Sequence, residues 1–160
     1  MTGDISCEKI REKLVNATIE AFGRIDVLVN NAGTCYPSNW ETEVKELQPV
    51  LDLHVLAPLH LSQLCMPELI KNKGNIVMIS SIGGLVGVSV HSVFFQSIHY
   101  QGSNILKLVW AFFLNEDVSL SYRQPGGYLH YAIAKGGMQQ MMKVLASDVA
   151  KLGVRVNSVK

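Results

Sequence analysis

A chain of 160 residues is one domain's worth, long enough to bury a core of its own. With 48% hydrophobic and 17% charged residues, it is too apolar for a disordered segment. A formal net charge of +1 supplies no basic field, so nucleic acid is not an expected partner.

The chain opens on polar residues, Met1-Thr2-Gly3-Asp4-Ile5-Ser6, without the apolar core of a secretory signal. From Cys7 to Phe22, the residues Ile10, Leu14, Thr18 and Phe22 recur at every fourth position among charges. That is the pattern of an amphipathic helix, with Gly23 to close it. The run Ile25 to Asn30 reads as a buried strand ending in an Asn-Asn-Ala-Gly turn. A long helical stretch follows over Trp40 to Lys71, interrupted by Pro49, Pro58 and Pro67. Asn72-Lys73-Gly74 then turns the chain into a second buried strand, Asn75 to Ser80. Near Tyr128 another helix begins, with Met138, Met141, Met142, Leu145, Val149 and Leu152 on one face. Gly153 stops it before a third strand, Val154 to Val159. Alternating strands and helices predict an α/β fold of βαβ units around a parallel sheet. Ligands of such sheets sit beyond the carboxyl ends of the strands, where the Asn-Asn-Ala-Gly turn and the Ser80-Ser81 pair fall.

Residues 89–126 have a different texture, with neither helical nor strand periodicity, and compact domains seldom hold so long a connection. Their most apolar run, residues 105–114, is well short of the roughly 20 residues that span a bilayer, so no membrane association is expected. Cys7, Cys35 and Cys65 are too few and too scattered for a disulfide framework or a metal site. Reduced thiols in a cytoplasmic protein are the expectation.

Tyr131 and Lys135 lie four apart on the predicted last helix, hence on one face a turn apart. A free tyrosine is a poor base at neutral pH, and a neighbouring ammonium favours its phenolate. Such a phenol can donate a proton to a nascent alkoxide or take one from an alcohol. By itself the spacing is weak evidence and more often marks an exposed surface pair.

Its surroundings narrow the choice. Asp26-Val27-Leu28-Val29-Asn30-Asn31-Ala32-Gly33, Gly74-Asn75-Ile76-Val77-Met78-Ile79-Ser80-Ser81, Tyr131 to Lys135, and Arg155-Val156-Asn157-Ser158-Val159 resemble, in that order, the signature blocks of the short-chain dehydrogenase/reductase family. The resemblance implies a Rossmann-type, doubly wound parallel sheet with flanking helices, of which three strands are recognisable here. It also implies an oxidoreductase using NAD or NADP on a small carbonyl or alcohol. Carried over by position, it makes Tyr131 the general acid/base and one of the cofactor-binding residues, and Lys135 the residue that tunes it and binds the nicotinamide ribose. Ser81, in preference to Ser80, becomes the hydroxyl that holds the substrate oxygen. Asn30, Ala32 and Gly33 become the turn against the cofactor, and Asp4 with Ile5 the contact to its adenine. The helices Trp40–Lys71 and Tyr128–Leu152 become the pairing surfaces of a homo-oligomer.

Four departures accompany the resemblance. No Gly-rich phosphate-binding turn precedes Thr2, so residues 1–160 read as a single incomplete domain, truncated at both ends, with weak cofactor binding expected. Ser81 and Tyr131 stand 50 positions apart, which marks 89–126 as an insertion. The chain ends just after the last matching strand, so no substrate-covering segment is included. His54 stands where the resemblance leads one to expect a relay asparagine; Pro58, four residues later, has no N–H for the His54 carbonyl and frees it for a water. A non-catalytic chain that associates through its long helices is the alternative these departures leave open.

Overall fold

The computed structural model describes residues 2–85 and 127–159; the proposed insertion falls outside them. Helix α1 spans Glu8–Phe22 and ends at Gly23, whose φ of 74° lies in the left-handed region that glycine tolerates. Strand β1 is Val27–Asn30. A 3-10 turn at Val44–Glu46 leads into α2 (Leu47–Leu51), a π-helical turn (Asp52–Leu56) and α3 (Ala57–Asn72). Strand β2 is Asn75–Ile79, and a 3-10 turn follows at Ile82–Gly84. Helix α4 spans Leu129–Val149, and β3 is Arg155–Val159.

The three strands form a parallel sheet in the order β1-β2-β3, with Leu28 beside Ile76 and Ile76 beside Val156. Ile76 and Met78 of the central strand are fully buried and pack with Val15 of α1, Leu61, Cys65 and Leu69 of α3, and Met138 and Val149 of α4. Side chains of a strand alternate between its two faces. Burial follows that alternation here: Asn30, Ile76, Met78 and Val156 lie on the covered face. Among the described residues all three long helices pack on that face.

The expectation of a buried first strand is therefore met only in part. Val27 and Val29 point to the opposite face and are 54% and 55% exposed. An apolar run pushes half of its side chains to each face, and a one-sided layer of helices covers only one of them. Phe22 and Leu152, placed on apolar helix faces by their spacing, sit at helix ends beyond the core and are exposed. The helical stretch predicted from Trp40 starts only at Val44, and Trp40 is exposed.

The prolines act differently from one another. Pro58 cannot give an N–H to the carbonyl of His54. The chain widens just before it, and Ala57 N–H bonds the carbonyl of Asp52, five residues back, in the π-helical turn. Pro67 is accommodated inside α3. The π turn is what brings His54, 1% exposed, under the carboxyl end of the sheet.

Candidate active site

Ser81 follows β2 and caps the 3-10 turn behind it, its oxygen accepting from Gly83 N at 3.2 Å. Tyr131 is in the first turn of α4 and Lys135 one turn later, so both reach the same end of the sheet. The two elements meet closely. A Cβ on Gly84 would lie 2.7 Å from the carbonyl carbon and oxygen of Lys135, so only a glycine lets the Ser81 turn rest on the helix backbone.

The start of α4 is held by a residue far away in sequence. Ser38 N–H donates to Gly127 O at 2.8 Å, Leu129 N–H to Ser38 O at 3.1 Å, and His130 N–H to Ser38 Oγ at 2.9 Å. This short parallel bridge, Ser38 to Tyr128, docks the loop after β1 onto the helix that carries the phenol. Nothing in the local spacing around Ser38 announces it, because the partners are 92 positions apart.

The phenol of Tyr131 is half-buried, on the helix against which the turn after Ser81 rests. Burial raises its pKa above the usual value of 10, Ser81 pulls it down, and the Cys35 thiol adds to the rise. The sequence led us to expect the opposite net direction, with Lys135 stabilising the phenolate. The reason lies in where the ammonium goes. Lys135, 4% exposed, donates from Nζ to the carbonyl of Ile79 at 2.6 Å and lies 5.6 Å from the centre of the Tyr131 ring. Held by the end of β2, it is not a direct partner of the phenol.

Burial also pushes the Lys135 ammonium down to about 8 from 10.5, with Cys35 opposing. Between those values the unfolded chain binds more protons than the folded one, so this group makes stability rise with pH. Its burial cost is present in full below pH 8 and fades as the proton leaves. Cys35 and Cys65, both pushed up to about 11 by burial, act in the opposite sense above their ordinary value of 9. The melting temperature of the wild type relative to Lys135→Met is therefore expected to climb from about pH 7 to about pH 9. Parallel curves across that window would show that Lys135 titrates at its ordinary value.

His54 is a wedge between the loop after β1 and Tyr131. Its ring meets the phenol ring edge-to-face, centres 5.5 Å apart at 88°. Its Nε2 lies 2.7 Å from the carbonyl oxygen and 3.1 Å from the amide nitrogen of Thr34, and serves one or the other according to tautomer. Nδ1 is buried without a partner among the described residues. Burial lowers the pKa of this imidazole; the Thr34 backbone opposes, and Lys135 adds to the lowering. A Cβ on Gly33 would sit 2.6 Å from His54 Cε1, so the small residue there makes room for the imidazole.

Asn30 ends β1 with its amide nitrogen 3.3 Å from the sulfur of Met78 and its Oδ1 buried without a partner among the described residues. Together with Ala32 and Ile5 it lines a cavity of about 90 Å³ to which Leu53, Pro58 and Leu61 also contribute. The fold thus joins Ile5, Asn30 and Ala32, but not Asp4, which is exposed and whose carboxylate accepts from Ser6 N and Oγ at 2.9 and 2.8 Å. Those bonds hold Asp4 below the usual carboxylate range. The hydroxyl of Ser80 is buried without a partner among the described residues, whereas that of Ser81 accepts from Gly83 N. A second cavity, about 80 Å³, adjoins Tyr131 and is walled by Tyr36, Ser38, Glu46, Val50 and His130. Sequence reasoning missed Cys35, Ser38 and Gly84; for Gly84 the only signal was the glycine pair after the serine strand, which reads locally as a plain loop.

No helix among the described residues is long and apolar enough to cross a membrane, and no group of His, Cys, Asp or Glu among them is placed to hold a metal ion. A family model described as short chain dehydrogenase matches residues 1–97. L-fucose dehydrogenase of Bos taurus is 31% identical over 158 residues, covering 98% of this chain and 45% of the relative. A crystal structure of a short-chain dehydrogenase from Streptomyces avermitilis superposes with a TM-score of 0.73 at 24% identity, covering 100% of this chain and 46% of the other; at that identity it speaks for the fold alone. A short-chain dehydrogenase/reductase from Caenorhabditis elegans, crystallised with cofactor, gives 0.71 at 29% identity over 99% of this chain and 47% of the other. The chain spans about half the length of the curated relatives it matches. Through its sheet, its helices and the matched family model, this chain belongs to the short-chain dehydrogenase family.

Proposed function

We propose that this chain carries the reacting end of an NAD- or NADP-dependent oxidoreductase that interconverts a small alcohol and its carbonyl compound. The observation that carries the reading is the convergence of Ser81, Tyr131 and Lys135 at the carboxyl end of the sheet. Ser81 holds the substrate oxygen, and Tyr131 gives its phenol proton to the alkoxide on reduction or, as the phenolate, takes the hydroxyl proton on oxidation. A phenol whose pKa is raised by burial is protonated at neutral pH, which suits it to donate to a nascent alkoxide. Lys135 holds the phenol's surroundings positive and offers its remaining N–H groups to a ribose hydroxyl.

A nicotinamide cofactor fits the residues present. The cavity at the end of β1 offers apolar walls, a residue as small as Ala32 where a backbone is approached, and the Oδ1 of Asn30, without a partner among the described residues, as an acceptor. Ile5, Asn30, Ala32 and Gly33 would hold it on one side and Lys135 on the other. When bound, the cofactor supplies the hydride donor or acceptor. The polar walls beside Tyr131, with Glu46, Tyr36 and His130, suit a substrate bearing further hydroxyls. That accords with a relative named for a sugar, L-fucose dehydrogenase. A non-catalytic chain is less well supported, because three separated segments would then converge to no purpose. We further place the protein in the cytoplasm as a homo-oligomer. Val44, Leu56, Leu129, Ile133 and Val144 are exposed on the two helical stretches proposed to pair.

The test is a nicotinamide-fluorescence titration of the purified chain with NADH and with NADPH. A saturable response is expected, with a dissociation constant above the low micromolar range. The 160 residues include no glycine-rich turn to bind the pyrophosphate. No saturable response to either cofactor, up to millimolar concentration, would overturn the reading.

A further inference from the structure

Arg11 projects from α1 and is 8% exposed, yet no carboxylate among the described residues forms an ion pair with it. Its charge is met by neutral groups. Nη1 donates to the carbonyls of Ile5 and Ser6, both at 2.8 Å, and Nε donates to Nδ1 of His60 on α3 at 2.9 Å. One side chain thus ties the N-terminal turn, α1 and α3 together. A buried cation is expensive unless its donors are satisfied, and here one of the satisfying groups, Ile5, lines the cavity at the end of β1. Pro58 and Leu61 of α3, the helix that carries His60, line the same cavity, so Arg11 ties together two segments that contribute to it.

We propose that Arg11 is a positioning residue that sets the width of this cavity for the adenosine part of a nucleotide, with His60 as its neutral anchor. The inference rests on the cofactor reading above. His60 must keep a lone pair on Nδ1 to accept from Arg11. Its other nitrogen then faces Glu8, with Nε2 and Oε1 3.8 Å apart. Arg11 and Glu8 are the charged groups that α1 presents to this imidazole. Without the Nδ1 acceptor Arg11 loses its anchor on α3, its tether on Ile5 loosens, and nucleotide affinity falls.

The experiment is equilibrium binding of 5′-AMP to wild type, Arg11→Met, His60→Gln and His60→Leu at a single neutral pH. Arg11→Met keeps most of the apolar stem and loses the donors. His60→Gln keeps an acceptor for Arg11, and His60→Leu has none. Arg11→Met and His60→Leu should each bind at least about ten-fold more weakly than wild type. His60→Gln should bind within about two-fold of wild type. Binding by Arg11→Met close to wild type, or equal losses in His60→Gln and His60→Leu, would overturn the proposal and leave the cofactor reading intact. If wild type itself fails to bind AMP at millimolar concentration, the cofactor reading fails and the proposal falls with it. Should Arg11→Met not fold, the contrast between His60→Gln and His60→Leu decides.

Discussion

Tyr131→Phe is expected to lower nicotinamide-dependent turnover by roughly 10²- to 10⁴-fold, the range general acid–base groups supply. The substitution removes one oxygen and keeps the ring, so the edge-to-face contact with His54 and the packing of the first turn of α4 survive. Stability should change by no more than the roughly 0.5–1.5 kcal/mol that one hydroxyl hydrogen bond supplies. Cofactor affinity should fall far less than turnover, because the phenol is only one of several groups proposed to hold the nucleotide. The decisive measurement is single-turnover hydride transfer beside cofactor titration and thermal melting. A rate within ten-fold of wild type would remove Tyr131 from the chemistry. Loss of rate together with loss of folding would instead mark it as a packing residue.

The second large effect is expected at a glycine. Gly84→Ala should destabilise by about 1–3 kcal/mol, the usual cost of forcing a methyl group into a closed contact. The new Cβ would stand 2.7 Å from the backbone of Lys135 and 3.0 Å from the amide of Gly136, and backbone in a helix yields little. At roughly 2–4 °C per kcal/mol for a chain of this size, the melting temperature falls by several degrees. Because the same turn carries Ser81, the serine and the phenol should separate and activity should fall with it. Gly137→Ala is the matched control. Its Cβ would meet only Val55 Cγ2 at 3.5 Å, an ordinary contact, and alanine in a helix is favoured over glycine by up to ~1 kcal/mol. Gly137→Ala should therefore melt at or above the wild-type temperature. Equal melting of the two variants would sink the claim that the turn and the helix are in closed contact.

What could be read from the residues alone was everything set by short-range periodicity. Glu8–Phe22 forms because its apolar residues recur at helical spacing, and Gly23 and Gly153 stop helices because φ is positive there, at 74° and 81°. Tyr131 and Lys135 share a face because four residues make about one turn. The order of strand, turn, serine pair and Tyr-Lys helix placed the candidate site at the carboxyl end of the sheet. Tertiary structure alone decided the rest. It turned the Lys135 ammonium to the Ile79 carbonyl and drew Ile5 into the cavity while leaving Asp4 outside. It left Val27 and Val29 on an open face of β1. It also raised the phenol's pKa where the neighbouring cation pointed to a fall. The physical reason is common to all of these. Periodicity is a property of neighbours along the chain, whereas desolvation and partner choice depend on which distant atoms displace water from a group.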